Sequence, residues 1–435
     1  MGTGKVLAPA AILVARGKIR AVAPSLRAPK GARLLDLGDL EAAPGLVDPW
    51  TSTFLAPSDL KKSHGPEAST ASGLVRLRPS QARELLRAGV TLLAVTPAGK
   101  DGLGPQAALA APDPTGVPQV LRAPSALQVR FSQAGPKQNP LAPLQLYQSL
   151  EKSFQKAKDY RKKRDQARKA EKEYRKKWRD YLEALKRLRK SSPGKTPGKA
   201  PATRPASSPA SKPSSRPASR RAAKASAPAK KGGKPAKAPV RPKRPAPFKT
   251  DPTLEVLAAA LEGKIPVRFE AHTALEVKKA LQLAWKFRLK TVLVEPWEID
   301  PEDLPRAAEL KAVVLYGPLD RPRPAFGEPG FRPALLSRWT AAGLPVALGT
   351  RGVLAPRFLR DQAALARSLG LSRSRALQAV TQAAARAAGA ASLAGSLEAG
   401  KRADILFFRG DPTDPSIPPE RIMVGGRFLP KEARQ

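Results

Sequence analysis

The sequence predicts an α/β protein, a barrel or a doubly wound sheet, whose two ends meet in a separate small β domain. Three observations predict it. Short β-branched or apolar runs alternate with helical stretches through the middle of the chain. Both termini are made of short β runs punctuated by Gly and Pro, and a long Lys/Arg-rich segment interrupts the alternation without adding strands.

The first element lies in residues 10–23, where two apolar runs meet at Arg16-Gly17. Gly accepts positive φ, so this pattern predicts a β-hairpin. A second β run, "ARLLDLGDLEAAPGLVD", ends at Asp48. Seven runs then read as parallel strands: "GLVD", "GVTLLAV" (89–95), "ALQVRF" (126–131), "IPVRFE" (265–270), "KTVLVE" (290–295), "KAVVLY" (311–316) and "LPVALG" (344–349). Each leaves room for a helix before the next. In "TALEVKKALQLAWKF", Ala274, Val277, Ala280, Leu281 and Ala284 follow the spacing of one helical face. Residues 358–389 repeat that period, with Gly370 separating two helices. The closing "GSLEAGKRADILFFRGDP" and "RIMVGGRFL" return to short β runs.

Charge divides the chain. Of 435 residues, 78 are Lys or Arg and 36 Asp or Glu, and residues 151–250 alone hold 34 of the basic and 7 of the acidic ones. Residues 144–190 contain no Pro or Gly, and Tyr147, Leu150, Phe154, Tyr174, Trp178, Tyr181, Leu185 and Leu188 recur at three- to four-residue steps within its two ends. This predicts a long basic helix or helical hairpin, packed in part through those residues. Residues 191–250 have no acidic residue and almost no large apolar one, so they read as a disordered linker. Arg216, Arg220, Arg221, Lys230, Lys231, Arg241, Lys243 and Arg244 in it suit a nucleic acid or other polyanion held without sequence choice. A solvated spacer explains the same composition. Phe248 is the only aromatic residue among these charges, so base stacking is not offered.

Several chemistries are excluded. There is no Cys, hence no disulfide, thiolate metal site or cysteine nucleophile, and two histidines, His64 and His272, cannot build a site of three imidazoles. No apolar run is long enough to span a bilayer. As written the chain reads as cytoplasmic, with a leader upstream of Met1 left open. "GTGK" at the N-terminus lacks the spacing of a phosphate loop and has Val6 where Ser or Thr is needed. Ser52, Ser69 and Ser72 have no nearby His for a Ser-His-Asp arrangement, and His64 sits in a polar loop expected to be solvated.

"PGLVD" near the N-terminus and "GSLEAGKRADI" near the C-terminus together resemble the two ends of the amidohydrolase superfamily, its imidazolonepropionase-like and dihydroorotase-like branch. The resemblance implies a (β/α)8 TIM-like barrel over residues 46–143 and 251–395. It also implies a composite β-sandwich from residues 1–45 and 396–435, in which Asp404 is structural. The helix of 144–190 and the linker of 191–250 are then insertions. The implied chemistry is metal-assisted hydrolysis of C–N bonds other than peptide bonds, with ligands at the C-terminal ends of barrel strands.

Against that pattern, Trp50 and Ser52 stand where a His-x-His pair is expected, Glu270 where a third His is expected with His272 two residues on, and Arg351 at the terminal Asp. A guanidinium repels a metal and cannot act as a base at neutral pH. No cofactor is therefore expected. Zinc or another divalent ion enters only if Glu270, His272 and Glu295 hold one, and the competing expectation pairs those carboxylates with Arg351. Trp50 either fills the vacated volume or stacks on a ligand. Three functions follow: a degenerate barrel acting as a binding or partner subunit, with copies of itself or an active homologue; a hydrolase of a cyclic amide with an atypical ion; or a polyanion-binding protein that uses the barrel as scaffold.

Overall fold

A computed structural model describes residues 6–60, 64–99, 101–131, 142–191, 239–320 and 333–430. The chain forms two compact units, residues 1–161 with 250–435, and residues 162–249.

The first unit opens with β1 (Ala11–Ala15) and β2 (Lys18–Ala23), an antiparallel hairpin. Arg16 and Gly17 have φ of 53° and 73°, the left-handed pair that matches a tight turn to strand twist. β3 (Glu41–Pro44) and β4 (Leu46–Thr51) follow directly. Residues 33–40, expected to extend that β run, take no strand. Polar Asp36 and Asp39 beside Gly38, whose φ is 60°, favour turns there instead.

After α1 (Pro57–Leu60) and α2 (Pro79–Arg87) come β5 (Val90–Val95), β6 (Gly102–Ala111) and β7 (Gln119–Arg130). α3 (Ala142–Ser191) and α4 (Pro252–Leu261) lead to β8 (Val267–Glu270). α5 (Ala274–Phe287), β9 (Thr291–Val294), α6 (Leu304–Glu309), β10 (Val313–Tyr316), α7 (Pro333–Ala341) and β11 (Val346–Leu348) then alternate. α8 (Leu359–Ser368), α9 (Arg373–Ala379) and α10 (Gln382–Ala387) precede the last strands, β12 (Ile405–Phe408), β13 (Arg421–Val424) and β14 (Arg427–Phe428).

β4 to β11 form one eight-stranded sheet in sequence order. Seven strands are parallel, and β6 runs antiparallel to both β5 and β7. The sequence reading expected a helix in this interval and missed β6. Its "GLGPQAALAA" has little intrinsic strand preference, and burial between two strands overrides it. The sheet is a nearly closed barrel: β11 and β4 end the hydrogen-bonded order. Thr350, just after β11, donates its N–H (3.2 Å) and its hydroxyl (2.5 Å) to Asp48 of β4 across that gap.

Residues alternate between two cores, as a two-residue period requires. Val47, Leu92, Ala94, Val292, Val294, Leu315 and Ala347 join Trp50 in the inner cluster. Leu46, Leu93, Leu293, Val314 and Leu348 join the cluster that includes the helices. The alanines of α10 belong to the inner cluster, and α10 packs on β4, β10 and β11. Small side chains let a helix approach the strands that closely.

The termini combine as the resemblance implies. β3 pairs with β12 in a four-stranded sheet with β13 and β14, and the hairpin joins it through Ile19 N–H to Lys401 O and Ala403 N–H to Gly17 O. Asp404 ties this region together, accepting from Arg402 Nε (2.8 Å) and Gly425 N (2.7 Å).

α3 is one uninterrupted helix of 50 residues, not a hairpin. Its first part packs in the first unit: Phe154 is fully buried with its ring 5.3 Å from that of Phe287, and Tyr160 Oη donates to Glu255 Oε1 (2.7 Å). In the second unit, Tyr174, Trp178 and Tyr181 form a row of rings 6.0 and 5.5 Å apart, and Arg241 lies 5.3 Å over Trp178. Residues 192–238, with Arg216, Arg220, Arg221, Lys230 and Lys231, lie outside the described residues, as does "GTGK". Residues 239–250 carry no helix or strand; Arg241 is engaged with Trp178, and Arg244 lies 3.9 Å from Glu171. Among the described residues no helix is long and apolar enough to cross a membrane.

Candidate functional site

The residues singled out in the sequence gather at the C-terminal ends of the parallel strands, where barrel folds place their chemistry. Strand alternation does the positioning. Gln128 and Arg130 share parity on β7, as do Arg268 and Glu270 on β8, and their side chains meet: Glu270 Oε2 accepts from Gln128 Nε2 and Arg130 Nε, each at 2.9 Å. Its other oxygen accepts from Arg351 Nη2 at 3.2 Å. Arg351 Nε lies 3.5 Å from Glu295 Oε1. One guanidinium therefore bridges the two carboxylates named as metal candidates.

Two backbone features hold this bridge. Glu295 and Arg351 have φ of 48° and 50°, a left-handed conformation that costs about 1–2 kcal/mol for a residue with a Cβ. Such strain persists where surroundings fix it, and here the Glu295 N–H is bonded to Leu315 O in the next strand. Gly352 has φ 73°, and a Cβ on it would meet Ser52 Oγ at 2.6 Å. Ser52 thus packs against the Arg351-Gly352 turn.

Trp50 is almost fully buried beside the bridge, with Arg351 4.6 Å and Arg268 5.6 Å from its ring. Both distances are in the range of cation–π attraction. Arg268 is wholly buried, donating to Ala387 O (3.0 Å) and Thr96 Oγ1 (2.9 Å), while its Nη2 has no partner among the described residues.

The charges are strongly biased. Burial pushes Glu270 up, but Arg351, then Arg130 and His272, outweigh it and hold the carboxyl at about 2. So weak a base has little use for proton abstraction near neutrality. Burial pushes Asp48 up to about 6 against its bonds to Thr350 and Trp50 and the charge of Arg268. Burial lowers Arg268 to about 9, with Asp48 opposing and Arg351 assisting.

His272 faces a different way. Its Nδ1 is 2.8 Å from Glu295 O, and its ring stacks on Trp297 at 4.1 Å. Its backbone N–H and that of Thr273 donate to Glu276 Oε2, in the first turn of α5. Glu270, His272 and Glu295 therefore do not converge on one point, and among the described residues no three His, Asp or Glu form a group that could hold an ion. The donor set does not fit the metal that the resemblance implies: the space between its carboxylates holds a fixed cation. His64 also departs from expectation: its N–H bonds Ala98 O, and its Nε2 is buried rather than solvated.

In the sequence Gln128, Arg130 and Arg268 belong to no motif, and Asp48 only closes the run "PGLVD". The available signal was charge at two-residue spacing inside apolar runs, "ALQVRF" and "PVRFE".

The model of the amidohydrolase family matches residues 291–428. An amidohydrolase from Thermotoga maritima shares the fold with a TM-score of 0.63 at 20% identity, over 97% of this chain and 95% of its own. Phenylurea hydrolase B is more distant, with a TM-score of 0.47 at 16% identity over 98% and 94% of the two chains. A variant atrazine chlorohydrolase from Arthrobacter aurescens, complexed with zinc and atraton, gives 0.42 at 16% over 97% and 90%. No curated protein sequence matches the chain. The family model thus covers β9 to β14, and the fold is shared along nearly the whole length with the Thermotoga protein.

Proposed function

We propose that this chain is a degenerate amidohydrolase that binds rather than hydrolyses, serving as a partner subunit for copies of itself or for an active homologue. The observation that carries this reading is Arg351, which donates to Glu270 and lies beside Glu295. A guanidinium held between two carboxylates occupies the place that a second cation would need. Trp50 lies against Arg351, and Arg130 donates to Glu270. Inherited architecture without the inherited ligands argues for binding, since function resides in the site rather than the fold.

Elemental analysis of the purified protein tests this reading, alongside a Glu270→Ala, His272→Ala double variant. The expected result is no stoichiometric zinc or other divalent ion in either protein. Near-stoichiometric metal that disappears in the variant overturns the reading and restores hydrolysis of a cyclic amide C–N bond.

A second reading, polyanion binding through the basic insertion, draws on the second unit. There Tyr174, Trp178 and Tyr181 form a row on a helix dense in Lys and Arg. Rings beside cations offer a stacking platform as well as charge. Retention on single-stranded DNA that falls in Trp178→Ala supports it, and retention unaffected by that change removes the stacking component.

A further inference from the structure

A cleft of about 190 Å³ lies at the opposite end of the barrel from Arg351, where β11 begins. It is bordered by the end of α7, the first residues of β11, and α9 and α10. Leu344, Val346 and Leu371 give it apolar walls, and Arg375, Gln378 and Arg386 give it polar ones. Among the described residues no Asp or Glu lines it.

Each guanidinium is anchored by one N–H to a backbone carbonyl: Arg375 Nη1 to Thr340 O at 3.2 Å and Arg386 Nη2 to Lys311 O at 2.9 Å. A guanidinium carries five N–H donors in a planar fork, so anchoring leaves donors for a ligand. Burial lowers the pKa of Arg386, and no carboxylate acts to raise it. A half-buried cation without a counter-charge is unfavourable, and Arg386 is one, bordering the cleft together with the exposed Arg375. An oxyanion supplies the missing charge and accepts in the bidentate geometry that arginine favours. Size agrees with apolar walls: a cavity of about 150 Å³ holds benzene.

We propose that this cleft binds a small organic oxyanion, a ring-sized carboxylate or phosphate ester, with Arg375 and Arg386 clasping the anionic group and Leu344, Val346 and Leu371 covering the ring. The site is independent of the barrel mouth and of whether the mouth binds a metal.

The test is titration of the full-length protein with benzoate and with phenyl phosphate at constant ionic strength, read by calorimetry and by amide hydrogen exchange. Expected is saturable 1:1 binding of one or both probes, with slowed exchange in residues 340–346 and 375–386. The affinity falls at least tenfold in Arg386→Gln and in Arg375→Ala, and is partly kept in Arg386→Lys. Which probe binds more tightly assigns the ligand as carboxylate or phosphate. Absence of saturable binding to the wild type overturns the proposal. So does equal affinity in a folded Arg375→Ala, Arg386→Gln double variant, which places the anion on the basic insertion. Should that variant unfold, the exchange pattern of the wild type decides alone: protection elsewhere and none in the cleft is a refutation.

Discussion

At the scale of single residues, Arg351 is the cation that joins two buried carboxylates, Glu270 and Glu295. Removing it leaves Glu270 and Glu295 buried with less neutralising charge, and breaking a buried pair from one side costs about 3–5 kcal/mol. Arg351→Ala should therefore lower the unfolding free energy read from urea titration by an amount in that range, whereas Glu84→Ala, which breaks an exposed pair with Arg357, should change it little. Glu270 and Asp48 set opposite pH dependences. Glu270 at about 2 is depressed below the usual ~4.3. Its contribution is complete above the usual value and lost as pH falls through 2. Asp48 at about 6 is raised above the usual ~3.9, so the native state holds its proton longer and stability falls as pH rises from about 4 to about 6. Urea midpoints across that window should decline in the wild type and flatten in Asp48→Asn. A decline that persists in the variant assigns it to other groups. The positions of Trp50, Ser52, Glu270, His272, Glu295 and Arg351 at or just beyond strand ends are legible in the sequence, because the strand pattern and the resemblance place them there. Arg130 and Arg268 escaped notice because nothing in a single strand says which partner its inward charge will meet.

At the scale of elements, the strands that speak clearly in sequence are those with β-branched runs, β5, β9 and β10. β6 is silent because alanine and glycine have no strong preference, and its conformation comes from neighbours on both sides. α3 makes the same point in reverse. Its length is legible, since 144–190 has no breaker, but its division of labour rests on tertiary packing. Phe154 packs on Phe287 inside the first unit, so Phe154→Ala should destabilise the barrel by about 3–5 kcal/mol. Trp178, in the second unit and stacked among Tyr174, Tyr181 and Arg241, should leave the barrel's thermal transition unmoved when replaced by Ala. A fall in that transition from both variants would mean that α3 transmits stability along its whole length.

At the scale of the whole molecule, a barrel with its composite terminal sheets is interrupted between β7 and β8 by a segment that carries most of the excess charge. Closing a longer loop costs little extra entropy, growing only with the logarithm of its length. The fold therefore tolerates the insertion, and nothing in barrel stability requires its composition. Residues 192–238 contain 12 Lys and Arg and no Asp or Glu. Replacing those 12 by Ser keeps the length and alters only the charge. The barrel should melt at the same temperature, and retention on duplex DNA should weaken, with the slope of log affinity against log salt falling by roughly 0.9 for each phosphate that the segment no longer neutralises. If retention and slope survive the replacement, the cations that matter are those of α3. If the melting temperature falls instead, the basic segment supports the fold, and the spacer reading fails.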